Sequence, residues 1–169
     1  MEQSNFIERV MPFKDKLFRF AKRILISSEE AEDATQEVLL KLWNRRTDLG
    51  KYKSLEAFAM TVTKNYCLDK LKNKHSSNLS LVHSNYDSGT KNPEQVTELN
   101  NTIDLVKKTI ETLPEQQRMA IQLRDIEHYT LEEMEEVLGV SNSTIRVNLS
   151  RARKKVREEL IKTSNYGIR

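Results

Sequence analysis

The chain has 169 residues, with 28 Lys and Arg against 25 Asp and Glu (formal charge +3), a single cysteine and four glycines. One cysteine excludes an internal disulfide and a multi-thiolate zinc site. The scattered glycines exclude a glycine-rich phosphate loop, and no apolar run approaches the ~18 residues that cross a bilayer. The N-terminus lacks the basic-then-apolar order of a leader, so the expectation is a soluble, cytoplasmic protein of one domain or two small ones.

In chain order, Phe6, Val10, Phe13, Leu17, Phe20 and Ile24 step by three and four and mark one face of a helix, with a break expected at Pro12. Ser27 and Glu30 fit a capping box that opens a second helix through Ala31, Ala34, Val38 and Leu42 to about Arg46. Its first turns, Ser28 to Glu37, hold five acids and no base. Ser54 caps a third helix with Leu55, Phe58, Val62 and Tyr66 on one face, followed by Leu68 and Leu71; Cys67 is expected as a small buried filler. From Lys72 to Asn92 the pattern gives way to Ser, Asn, Lys and Gly, a composition suited to a tether.

Asn92-Pro93 restarts helical order with a cap and a proline at the first helical position, and Val96, Leu99, Ile103, Val106, Ile110 and Leu113 then keep the helical period. A helix with Ala120, Leu123 and Ile126 follows Pro114. Thr130 and Glu133 form a capping box for a short helix whose inward residues are Leu131, Met134, Val137 and Leu138. Gly139 permits a tight turn, Val140 plugs the corner, and Ser141 and Asn142 cap a last helix buried through Ile145, Leu149, Ala152 and Val156.

The expected fold is therefore all-α. Two small helical domains, residues 1–74 and 93–169, are joined by a flexible linker at 75–92, and the second contains a helix-turn-helix. Each is about 70–80 residues, near the lower limit for a self-sufficient core. The last helix carries six Lys or Arg and no acid between Ser141 and Arg157. Helix, glycine turn and basic helix suit entry into a DNA major groove. Asn142, Ser143, Arg146, Val147, Ser150 and Arg151 lie on the outer face of its first turns, where Arg can reach guanine, Asn adenine and Val a thymine methyl. Arg153 and Lys154 come later and suit phosphates, as do Lys155 and Arg157. No catalytic set or metal-ligand spacing accompanies these features. His75, His83 and His128 are isolated, so neither enzymatic activity, nor a cofactor, nor a metal is expected.

Two blocks resemble the bacterial RNA polymerase sigma factors of the extracytoplasmic-function (group four) type. Ala31 to Trp43, with Ala57-Phe58 and Asn65 to Leu71, is similar to that family's second conserved region. Leu113-Pro114 through Leu160 is similar to its fourth. The resemblance implies a factor that binds core RNA polymerase and directs it to specific promoters. It implies that Asp33, Gln36, Glu37, Leu40, Lys41 and Trp43 grip a coiled coil of the polymerase's largest subunit. Asp33, Gln36, Glu37 and Lys41 do fall on one side of a helix, with Trp43 as an aromatic anchor. It implies further that Lys64, Asn65, Lys70 and Lys72 engage the minus-10 strand, with Phe58 and Tyr66 as candidate stacking groups, and that the Ser141–Arg157 helix reads the minus-35 element. An anti-sigma protein, membrane-linked in some cases, is an implied partner. Two features depart from the family pattern. Glu135 stands where a small residue is usual and must splay outward or pair with a base, and the basic cluster after Leu71 is thin. The rival reading is a stand-alone helix-turn-helix regulator that binds as a dimer.

Overall fold

The computed structural model describes residues 3–78 and 98–166, and all regular structure among them is helical. α1 (Gln3–Val10) leads through a 3-10 turn at Met11–Phe13 into α2 (Lys14–Leu25). Pro12, which has no N–H to donate, sits inside that turn and separates the two helices as expected. α3 (Ser28–Asn44) opens at Ser27, whose hydroxyl accepts the Glu30 N–H at 3.3 Å. α4 (Leu55–Asn78) opens at Ser54, whose hydroxyl accepts the Ala57 N–H at 3.1 Å. It continues through Asn78, four residues into the stretch expected to be linker. The rest of that stretch, and the proposed cap at Asn92-Pro93, lie outside the described residues.

The second group of helices is α5 (Glu98–Glu111), α6 (Glu115–Ile121), α7 (Leu131–Leu138) and α8 (Asn142–Tyr166). α6 ends in a single π-helical turn, Gln122–Ile126, that no sequence period announced. This turn leaves Ile126 exposed, against the expectation that it would share the apolar face of Ala120 and Leu123. Both halves of the Thr130–Glu133 capping box are formed. Gly139 ends α7 with φ of +67° and donates to the Glu135 carbonyl at 2.9 Å. That left-handed backbone costs a residue with a Cβ about 1–2 kcal/mol and glycine almost nothing. Glu135 is half-buried at the rim, and the α7–α8 corner closes beside it around Met134, Val137 and Ile145.

The helices form two lobes, α1–α4 and α5–α8. In the first, α2 packs between α3 and α4; in the second, α5, α6 and α7 pack around α8. All six periodic apolar residues from Phe6 to Ile24 are buried, as are Ala31, Ala34, Val38 and Leu42. The face expected for α4 needs correction. Leu55 is buried as expected, but the other core residues are Ala57, Ala59, Met60, Thr63 and Cys67, whereas Phe58, Val62 and Tyr66 are half-buried flanks. The physical reason is that α4 is covered from two directions, by α2 and α3 on one side and by α7 on the other, so no single stripe dominates its pattern. Cys67 is fully buried as expected, and burial pushes its thiol up to about 12.

The lobes are not independent. One continuous apolar cluster runs from Phe6 in α1 to Leu149 in α8, crossing where α7 lies on α4 and α6 on α2. Each lobe is small, and each hides part of its apolar surface against the other.

Candidate nucleic-acid interface

α8 carries the basic surface. Ile145, Leu149 and Ala152 turn inward against α5, α6 and α7, which leaves Ser143, Arg146, Val147, Ser150 and Arg151 exposed on the opposite side. Val147, an apolar side chain among cations, is 46% exposed. Asn142 is half-buried, and its Oδ1 accepts the Arg146 Nε–H at 2.7 Å, which pre-aims that guanidinium along the helix. Ser141 caps the helix by accepting the Thr144 N–H at 3.3 Å.

A concave surface of about 660 Å³ lies between α8 and the preceding turns, lined by Arg124, Arg146, Ser150, Arg153, Lys154 and Arg157 with Leu131 and Leu149 at its floor. Arg124 was not legible as a site residue, because the π turn that delivers it has no sequence period. It donates through Nη1 to the Tyr129 carbonyl at 2.6 Å. Arg153, expected to lie on phosphate, forms a two-pronged pair with Asp125 at 3.0 and 2.6 Å and so braces α8 against the π turn. Lys155 and Lys162 share Glu159 in partly exposed pairs that contribute little to stability.

The first lobe presents a second surface along α3 and α4. Asp33, Gln36, Glu37 and Leu40 line a shallow hollow of about 490 Å³ together with Tyr66 and Lys70. The two residue sets separated in the sequence reading are thus contiguous. Leu40 is 52% exposed, the projecting apolar group of this face. Lys41 places its ammonium 4.6 Å from the Tyr66 ring centre and bridges α3 to α4. Trp43, expected as the aromatic anchor of this face, does not line the hollow. It is half-buried, edge-on to Phe6 at 5.1 Å, with the Arg46 guanidinium 4.4 Å from its ring centre. Leu40 is therefore the more exposed of the two apolar groups.

Asn65 is exposed and lines a neighbouring cleft of about 410 Å³ with Lys41, Phe58, Val62, Tyr66 and Asp69. Tyr52, from the loop before α4, stacks on Phe58 at 3.8 Å with 15° between the rings and is 38% exposed. Sequence reasoning missed Tyr52, because a lone tyrosine between lysines has no period. Lys72 is exposed. Lys74 is paired with Glu30 at the start of α3. Lys64 is half-buried, donating from Nζ to the Leu138 carbonyl of α7 at 3.2 Å, and burial holds its ammonium below the ordinary lysine value. Among the described residues no cluster of His, Cys, Asp and Glu could hold a metal ion, and no helix is long and apolar enough to cross a membrane.

Two helical lobes, one carrying a basic helix-turn-helix and the other an acidic face beside an aromatic cleft, define a DNA-binding protein with a second macromolecular surface. Residues 10–76 match the family model of sigma-70 region 2, and residues 103–156 match that of sigma-70 region 4. The chain belongs to the sigma-70 family of RNA polymerase sigma factors, within the extracytoplasmic-function group. It is 28% identical over 161 residues to the ECF RNA polymerase sigma factor SigE of Mycolicibacterium smegmatis, covering 94% of this chain and 62% of that protein. It is also 28% identical over 165 residues to the ECF RNA polymerase sigma-E factor of Escherichia coli K12, covering 92% of this chain and 86% of that protein. The fold is similar to that of the sigma factor RpoE of Bartonella quintana, solved in complex with the anti-sigma factor NepR, at a TM-score of 0.72 and 21% identity over 92% of this chain and 96% of that one. It is similar also to CnrH, solved in complex with the cytosolic domain of CnrY, at a TM-score of 0.65 and 19% identity over 95% and 90% of the two chains.

Proposed function

We propose that this sigma factor binds core RNA polymerase and directs it to specific promoters, with the two labours divided between its lobes. The α8 face of Asn142, Ser143, Arg146, Val147, Ser150 and Arg151 reads a minus-35 element in the major groove. Lys154 lies beside it for the phosphates, with Arg153, still 47% exposed beyond its Asp125 pair, and Arg124 lining the same hollow. The face of Asp33, Gln36, Glu37, Leu40 and Lys41 meets the coiled coil of the polymerase's largest subunit, and Trp43 supports that face from beneath. The cleft beside Asn65 accepts an unstacked base of the minus-10 strand. There Phe58, Tyr66 and the Tyr52 stack supply aromatic walls, and Lys70 and Lys72 follow the backbone.

The observation that carries this reading is the pairing of both surfaces on one chain: an exposed basic recognition helix, and an acidic helix face contiguous with an aromatic cleft. A stand-alone dimeric regulator needs the first and leaves the second unexplained. The factor has no catalytic step of its own and works in the cytoplasm. An anti-sigma protein is a fitting regulator, since the structural neighbour RpoE was solved in complex with the anti-sigma factor NepR. Transcription from a promoter library with purified core polymerase tests the function. The expected result is a set of start sites that share two upstream elements. Initiation that ignores upstream sequence would count against it.

A further inference from the structure

Two arginines of α8 are held in different ways. Arg146 is exposed and donates its Nε–H to the Asn142 Oδ1, one turn earlier, at 2.7 Å. Arg153 is gripped across Nε and Nη2 by the Asp125 carboxylate, at 3.0 and 2.6 Å, so one whole edge of its fork is closed. Asn142 is itself well placed to hold a neighbour. It is half-buried and opens α8, just after Ser141, which caps the helix through the Thr144 N–H. To reach Asn142, the Arg146 side chain runs back toward the helix N-terminus, the direction that long helical side chains favour. That end of the second helix is the one a helix-turn-helix brings against base edges.

A guanidinium anchored through Nε presents its two Nη groups as a pair of parallel donors. Such a pair matches a base edge with two neighbouring acceptors. In the major groove guanine alone has one, at N7 and O6. Adenine sets a donor beside its acceptor, and thymine and cytosine each offer one polar group. Asn142 could read adenine only by accepting from the base amine with its amide oxygen, and that oxygen is committed to Arg146. We propose that Asn142 is a positioning residue, which holds Arg146 by Nε so that the open end of its fork reads one guanine of the minus-35 element. Asn142 thus serves the reading face through Arg146 and selects no base of its own. The inference rests on the assignment of α8 to the minus-35 element.

The test is transcription by core RNA polymerase with the full chain, on promoters randomised across the minus-35 segment. The readout is relative base preference at each position, which a general loss of yield does not move. Wild type should prefer guanine at one position, and Arg146→Ala should abolish that preference. Asn142→Ala should flatten it by roughly fivefold, the fold-change of one ordinary hydrogen bond, and leave the other positions as they are. Asn142→Asp keeps an acceptor for Nε and should retain the guanine preference. An Asn142→Ala variant with that preference intact, whatever its yield, would overturn the proposal. So would an Arg146→Ala variant that still selects guanine there. An adenine preference at another position, lost in both Asn142 variants, would make Asn142 a base reader and overturn it too. A wild-type factor with no preference anywhere in the segment would instead sink the minus-35 assignment, and this inference with it.

Discussion

Replacing Arg118 with alanine is expected to lower the stability of the folded chain by about 3 kcal/mol or more. The side chain is only 9% exposed, and its guanidinium donates to three main-chain carbonyls: Leu113 at 2.5 Å, Arg23 at 2.9 Å and Ile24 at 3.0 Å. Leu113 precedes the turn into α6, while Arg23 and Ile24 belong to the last turn of α2, whose carbonyls have no partner within their own helix. Arg118 thus serves as a C-cap for α2 supplied from the other lobe. Alanine removes the donors and leaves buried acceptors behind, and water cannot reach them without opening the α2–α6 contact. Lysine, a point charge in place of a planar fork, should recover only part of the loss. Urea unfolding followed by circular dichroism checks this. A change under about 1 kcal/mol would mean that these carbonyls find other donors and that the capping account is wrong.

The second large effect separates the two surfaces. Arg146→Ala should weaken promoter-directed transcription by roughly 5- to 150-fold, the range of a lost base contact of about 1–3 kcal/mol, with binding to core polymerase unchanged. Glu37→Lys should do the converse. It reverses a charge in the α3 hollow and should weaken polymerase binding on the order of 30-fold, the scale of a hot spot of about 2 kcal/mol, with the helix content intact. Arg146 is exposed and Glu37 lies at the rim of its hollow, so neither change disturbs the shared core. Parallel measurement of polymerase affinity and transcript yield decides the matter. If either variant lowers both quantities equally, the division of roles between α8 and α3 fails.

Local chemistry accounts for what could be read from the sequence alone. The caps at Ser27, Ser54 and Thr130 bond to backbone three residues ahead, so their partners are visible in the same short window. The first helix pattern, from Phe6 to Ile24, is clean because α1 and α2 each bury one stripe and expose the rest. The basic face of α8 was legible for the same reason: its inward residues Ile145, Leu149 and Ala152 fix which side points out.

The features that escaped depend on residues far away in the chain. α4 hides two faces, so the apparent stripe of Phe58, Val62 and Tyr66 was in fact a flank. The π turn at Gln122–Ile126 is held where Gln122 and Glu127 meet α2, a contact spanning about a hundred positions, and it moves Ile126 outward and Arg124 toward the basic hollow. Lys64 and Trp43 carry the residue types expected of binding groups, but the fold gives each an internal partner, the Leu138 carbonyl for one and the Phe6 ring for the other. Residue type announces what a side chain can bind; only packing decides whether it is free to do so.

The most direct test of the whole account is a footprint of this chain with core RNA polymerase on a promoter selected from the library. Two protected segments are predicted, with Arg146→Ala losing the upstream one and Asn65→Ala the downstream one. A single protected segment that survives without polymerase, or protection that both variants lose alike, would contradict it.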